Sequence, residues 1–188
     1  MLTINRQLTL QEFLELSPED EDITYELIDG LAIPKMSPKF FHSKLTRALL
    51  YLIDNWCEGR GQVCPEWAVK LTRKGRDWVP TPELLYVSYE RLSPEWMENE
   101  ACPVVPELVI EIISPGQSFG ELAGKARDYL DAGVSRVWIV DSKAKSITIF
   151  YPDAPPQTYK GETLITDSLF EGLEFCVEGV FKKAGILP

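Results

Sequence analysis

Glu111 stands inside the apolar run Leu108, Val109, Ile110, Ile112 and Ile113. A continuous run of this kind predicts a strand covered on both faces. An isolated ionised carboxylate in such a place costs on the order of several kcal/mol, so it must find a cation, a hydrogen-bond donor or a metal, or take up a proton. A second acid, Glu83, follows Pro82 directly, in the segment predicted to form a neighbouring strand. Lys125 lies on the helix that follows Glu111. Leu122, Lys125, Ala126 and Tyr129 fall at spacings of three and four, so Lys125 borders the face that packs on the sheet and needs a partner there. Two carboxylates converging from neighbouring strands, with a lysine close by, suit Mg²⁺- or Mn²⁺-assisted phosphodiester cleavage. Hard cations take oxygen ligands, the metal polarises the phosphate and acidifies an attacking water, and the lysine stabilises the charge that develops. Glu83 and Glu111 are therefore the candidate metal ligands, and Lys125 is the candidate catalytic cation.

The elements that must position these residues follow from pattern and punctuation. Leu8 to Leu16, with Thr9 as N-cap, predicts a short amphipathic helix presenting Phe13 and Leu14. Pro18 to Asp22 reads as a loop. Ile23 to Ile28 and Leu31 to Met36 around Asp29-Gly30 predict a hairpin with a primed turn, carrying Glu26. Leu45, Leu49, Leu52, Ile53 and Trp56 predict a long helix from about Lys39 to Cys57. A strand over Gln62 to Thr72, a turn at Lys74 to Asp77 and a strand over Trp78 to Val87, with Pro80 and Pro82 at its start, come next. Ser88 to Val105 is irregular, with one helical turn expected within Pro94 to Asn99. After the Glu111 strand and the Ser114-Pro115-Gly116 turn, a helix is predicted over Phe119 to Asp131, stopped by Gly133. A buried strand at Val137 to Val140, an exposed hairpin from Ser146, a closing stretch over Leu164 to Phe175 and a helical turn at Val177 to Lys183 complete the chain. The order of elements implies one α/β domain over residues 1–188, with helices on the faces of a sheet.

Composition sets the bounds. At 188 residues, 45% hydrophobic and 26% charged, the chain can fill one core and carries no signature of disorder. No segment approaches a membrane span, and the first residues lack a secretory pattern, so a cytoplasmic protein with no membrane partner is expected. Cys57, Cys64, Cys102 and Cys176 have no CxxC spacing and His42 is the lone histidine, which argues for reduced cysteines rather than a zinc site. The net charge of -10 opposes nucleic-acid binding in general. Between Lys35 and Arg76, however, nine basic residues face three acidic ones, which permits a local basic surface on an acidic protein.

The segments YELIDG, PELLYV, PELVIEIISP and YLDAGVSRVWIVD, in this order and with Lys125 on the helix between the last two, resemble the Uma-two restriction-endonuclease family of the PD-(D/E)XK nuclease superfamily. The likeness runs from Leu10 to the LFEGLEF segment. It implies a restriction-endonuclease-like core of helix, three strands, helix and strand, here with an N-terminal helix and hairpin and C-terminal strands. The superfamily's first acid, usually Asp after Pro, falls on Glu83, and its second falls on Glu111. The lysine usual two residues later is replaced by Ile113, and Lys125 on the following helix matches the migrated lysine of this family. Glu26 and His42 match further recurrent positions. Glu26 either completes the acidic cluster or stabilises the hairpin, and His42 either packs at the helix start or contacts substrate. Gln117, just past the strand end, is within reach of a phosphate or a metal-bound water. Glu107 shares strand parity with Glu111 but is expected to be exposed at the strand's entry.

The expectation is a metal-dependent nuclease acting on nucleic acid, DNA above all. A non-catalytic binding or interaction module of the same fold, and a metal-dependent hydrolase of a small phosphorylated molecule, are its rivals. A homodimer is expected because duplex cleavage needs two sites, with Trp96, Met97 and the Ile147 to Tyr151 strand offered as its contact.

Overall fold

The computed structural model describes residues 6–16, 24–35 and 37–188. Its centre is a six-stranded sheet of order β10-β9-β8-β7-β6-β3, formed by β3 (Gly61–Pro65), β6 (Leu84–Ser88), β7 (Leu108–Ile112), β8 (Arg136–Asp141), β9 (Ser146–Phe150) and β10 (Gln157–Lys160). Only β7 and β8 run parallel, joined by the crossover helix α3 (Phe119–Asp131). Strand parity divides the core. Leu108, Ile110 and Ile112 of β7 pack with Leu45, Leu49 and Ile53 of α2 (Phe40–Cys57) and with Val180 and Phe181 of α4 (Val177–Lys183). Val109 faces the other way, toward Leu122, Ala126 and Tyr129 of α3, so Glu111, two residues on, points to the α3 side. The order α2, β3, β6, β7, α3, β8 is the helix, three-strand, helix, strand core expected from the sequence.

Local chemistry explains the elements that frame the site. Ser118 and Glu121 form a reciprocal capping box at the start of α3, with the Ser118 amide donating to Glu121 Oε2 at 2.6 Å. Thr9 and Glu12 do the same for α1 (Leu10–Leu14), which is shorter than Leu8 to Leu16; Phe13 packs inward whereas Leu14 is exposed. The hairpin of β1 (Tyr25–Ile28) and β2 (Leu31–Pro34) turns at Asp29 and Gly30, whose φ values of 52° and 81° are those a primed turn requires. The predicted hairpin ends at Ile23 and Met36, and the loop Pro18 to Asp22, lie outside the described residues.

Several expectations are corrected. The strand predicted over Gln62 to Thr72 is two elements in different sheets. β3 ends at Pro65, Glu66 takes a left-handed φ of 49°, and the chain resumes as β4 (Leu71–Arg73), paired with β5 (Arg76–Trp78) across Lys74-Gly75. Trp78 to Val87 is likewise divided, with Pro80 and Pro82 between β5 and β6, where no ladder amide is needed. A turn at Pro94-Glu95 followed by irregular chain, with no helix, fills Pro94 to Asn99. The hairpin from Ser146 is exposed only on β10, because β9 lies inside the sheet and is buried along its length. Ile147 to Phe150 therefore present no face to a second subunit, although Met97 is 87% exposed. The basic stretch is also divided. Lys35, Lys70 and Arg73 pair with acids near the hairpins, whereas Lys44 and Arg47 line a groove between α2 and α4.

Candidate active site

Glu83, Glu111, Lys125, Glu26 and His42, drawn from five separate segments, converge at one end of the sheet. β6 and β7 are antiparallel, with Leu84 opposite Ile110 and Leu85 opposite Val109. One further step of that ladder sets Glu83 opposite Glu111, on the face covered by α3. Directly opposed residues bring their Cβ atoms to about 4.5–5.5 Å, so the two acids are neighbours by register. Both are buried, Glu111 to 4% exposure and Glu83 to 5%.

The cations come from outside the sheet. Lys125 Nζ lies 3.0 Å from Glu111 Oε1 and donates to both oxygens of Glu26, at 2.9 and 3.2 Å. Glu26 is fixed in turn by the Thr81 amide, which donates to its Oε1 at 2.9 Å. Lys35, just past β2, reaches Glu83 Oε1 at 3.0 Å and Glu66 at 3.3 Å. His42 enters from the first turn of α2, with Nε2 3.3 Å from the same Glu83 oxygen. That is a close contact rather than an aligned hydrogen bond, and Nδ1 has no partner among the described residues. The Tyr129 hydroxyl, one turn beyond Lys125 and steadied by Trp78 at 4.7 Å between ring centroids, donates to Glu111 Oε1 at 2.9 Å.

The two opposed acids differ in their electrostatics. Burial pushes the Glu111 carboxyl above the ordinary range, and the nearby Glu26 and Glu83 charges add to it; Lys125 offsets this only in part. Burial also works against ionised Glu83, but the His42 contact and Lys35 outweigh it, and its carboxyl is held below the usual range. Lys125 and Lys35 are both desolvated, yet their carboxylate partners keep them above the usual lysine value and therefore charged. The Tyr129 hydroxyl is raised well above its ordinary value by burial and by Glu111, so it stays a donor.

A cleft of about 660 Å³ opens beside this cluster, with Glu26, Lys125, Gln117, Arg73, Lys74 and Arg127 in its wall. Lys125 links the cleft wall to Glu111. Gln117 is exposed at the rim, where its Oε1 accepts from the Ser114 amide at 3.0 Å. Glu107, expected at the surface, is buried at the opposite end of β7. There Ser88 Oγ and Arg91 hold its Oε1 at 2.6 and 2.9 Å, and the Ser88 amide holds its Oε2 at 3.0 Å. The correction has a physical cause: the loop after β6 brings a guanidinium to the strand's entry.

The donor set bears on the expected metal. Among the described residues no group of three His, Cys, Asp or Glu side chains forms a ready-made cage. Glu83 and Glu111 offer two carboxylates, and neither Oε2 receives a hydrogen bond from the described residues. Mg²⁺ is commonly held by one or two carboxylates, with water and substrate phosphate completing the shell, so the pair fits such an ion.

The sequence matches the Uma2 family model, described as "Putative restriction endonuclease", over residues 10–178. The chain belongs to the Uma2 family. Its fold is similar to the crystal structure of a "putative nuclease belonging to DUF820" from Anabaena variabilis. The two are 23% identical, with 94% of this chain and 99% of that chain covered and a TM-score of 0.80. No curated protein matches the sequence.

In this Uma2 chain, sequence reasoning misses Lys35 and the role of Tyr129. Both have a readable signal. The Asp29-Gly30 turn pairs Glu26 with Ile33, so Lys35, two residues further, projects from the same hairpin face as Glu26. Tyr129 shares the packed face with Lys125, and a buried tyrosine hydroxyl needs an acceptor. Among the described residues no helix is long and apolar enough to cross a membrane.

Proposed function

We propose that this protein is a metal-dependent nuclease that hydrolyses phosphodiester bonds of nucleic acid, DNA in particular, with Mg²⁺ or Mn²⁺ held by Glu83 and Glu111. The observation that carries the reading is the opposition of these two buried carboxylates across β6 and β7, with Lys125 bonded to one of them and standing in the wall of a cleft. Family membership supports it. A bound divalent ion would supply Lewis-acid polarisation of the phosphate and a more acidic attacking water. Lys125, kept charged by Glu111 and Glu26, contributes a fixed positive charge toward the phosphate as negative charge grows on it. Glu26, anchored by the Thr81 amide, is a positioning residue for that ammonium. Lys35 and His42 fix the rotamer of Glu83 and keep it ionised, ready to act as a ligand. Gln117 extends the cleft's polar rim.

The same ion pairs favour a second reading, because Lys35 and Lys125 satisfy Glu83 and Glu111 without any metal, as a non-catalytic module of this fold would require. One experiment separates the two. Purified protein is incubated with single- and double-stranded DNA and RNA under Mg²⁺ or Mn²⁺, beside Glu111→Ala and Lys125→Ala. Cleavage by the wild type and a loss of at least about 100-fold in each variant is expected. Cleavage that survives both substitutions excludes this site, and binding without cleavage selects the module.

A further inference from the structure

The outer face of α2 carries a stripe that the proposed catalytic site does not use. Phe40, Lys44, Arg47 and Tyr51 recur at spacings of four, three and four, which places them in one row along about 16 Å of helix. Phe40 is 71% exposed and Tyr51 55%. Lys183 of α4 joins the row across a groove of about 150 Å³ lined also by Lys44, Arg47 and Tyr51. Lys44 lies 5.8 Å from the Phe40 ring and Lys183 5.5 Å from the Tyr51 ring, so cation and aromatic alternate in contact. Among the described residues, none of Lys44, Arg47 and Lys183 forms a salt bridge, in a chain whose net charge is -10. The neighbouring Lys182 does, with Glu178 at 2.9 Å. Asp54 ends the row three residues past Tyr51. The first turn of α2 also carries His42 against Glu83, so the row starts from the end of the helix that reaches the acidic cluster.

We propose that this row is a track for a single-stranded segment of nucleic acid leading to or from the site, with phosphates on Lys44, Arg47 and Lys183 and bases stacked on Phe40 and Tyr51. The inference rests on the nucleic-acid reading above. A continuous duplex keeps its base faces stacked and has no use for exposed rings, whereas a single strand uses rings and cations together.

The test is fluorescence anisotropy with a labelled oligothymidylate in EDTA, where metal-dependent cleavage is off. The double variant Arg47→Ala, Lys183→Ala is expected to bind about 10-fold or more weakly, and its slope of log affinity against log salt shrinks by about 1.4, two phosphate contacts at about 0.7 each. Phe40→Ala, Tyr51→Ala also weakens binding about 10-fold but leaves the salt slope unchanged. Arg47→Lys, Lys183→Arg restores both. All four positions are on the surface or at a groove rim, and a circular-dichroism melt checks the fold. Wild-type affinity in both double variants overturns the track, as does a duplex of the same length that binds equally tightly through the same residues. Failure of the track and failure of the nuclease reading are separable. Unchanged binding beside cleavage that needs Glu111 removes the track alone, and binding that depends on the row beside no cleavage removes the nuclease alone.

Discussion

Glu107, one residue before β7, and Glu111, on that strand, sit four residues apart and are both buried, yet their surroundings are opposite in kind. Both oxygens of Glu107 are taken by Ser88 and Arg91, and among the described residues no other carboxylate is bonded into that group. Glu111 receives Tyr129 and Lys125 on Oε1, its Oε2 receives no hydrogen bond from the described residues, and it faces Glu83 and Glu26. A carboxylate with both oxygens engaged is a structural tie. One that is buried, raised in pKa chiefly by that burial and left with an uncommitted oxygen is held in a state that a cation would relieve. The strand thus has a fully paired carboxylate at its entry and the candidate catalytic carboxylate at its exit.

The strongest test of this contrast exchanges the two charges one at a time. Glu111→Gln is expected to lower metal-dependent cleavage by at least about 100-fold while leaving the melting temperature equal to or above that of the wild type, because it removes a charge that burial disfavours. Glu107→Gln should do the reverse, keeping activity within about threefold and costing about 1–2 kcal/mol, discounted for the partial exposure of Arg91. Thermal melts and initial rates on the two variants decide it. Equal loss of activity in both would erase the distinction.

A smaller effect lies in pH. Folded Glu111 holds its proton more tightly than the unfolded chain does, so its contribution to stability is present at low pH and is lost as pH rises from the unfolded toward the folded pKa. For Glu83 the contribution is present above the unfolded pKa and is lost as pH falls through its depressed folded value. Denaturant titrations across the acid range should therefore show opposite changes of slope in Glu111→Gln and Glu83→Gln; slopes of the same sign would show that one common field governs both. The smallest effect is expected at Gln117→Ala. An exposed side chain that mainly closes the Ser114 turn should change cleavage by less than about threefold.

Much of the site is legible in the amino-acid sequence alone. Parity puts Glu111 inside the sheet, the three-and-four spacing puts Lys125 on the packed face of α3, and Asp29-Gly30 locates the hairpin that carries Glu26. What fails is the assumption that alternation stays in register. Val63 belongs to the core on the α2 side and Val69 and Leu71 to the core on the α3 side, although a single strand with period two would put all three on one face. The left-handed residue at Glu66 reverses the sense of the pattern without interrupting it, so hydrophobicity does not reveal the break. The burial of Glu107 escapes the sequence for a related reason. Its partners arrive on the loop from Ser88, whose path has no period to read. The rest of the site depends on register, which makes Lys35 recoverable from the hairpin turn and leaves the Thr81 amide, a backbone donor of no particular residue type, outside the reach of the sequence.

The bridge from Lys125 to Glu26 spans 99 residues of chain. Contacts of such separation carry a high loop-closure entropy and depend on the intervening structure being in place. Glu26 is translated early and its cation late, so a partly made or truncated chain can contain the hairpin, β6 and both strand acids and still lack the fixed ammonium. Under the proposed function, the contact order of one ion pair would then join the appearance of a reactive centre to completion of the fold that contains it.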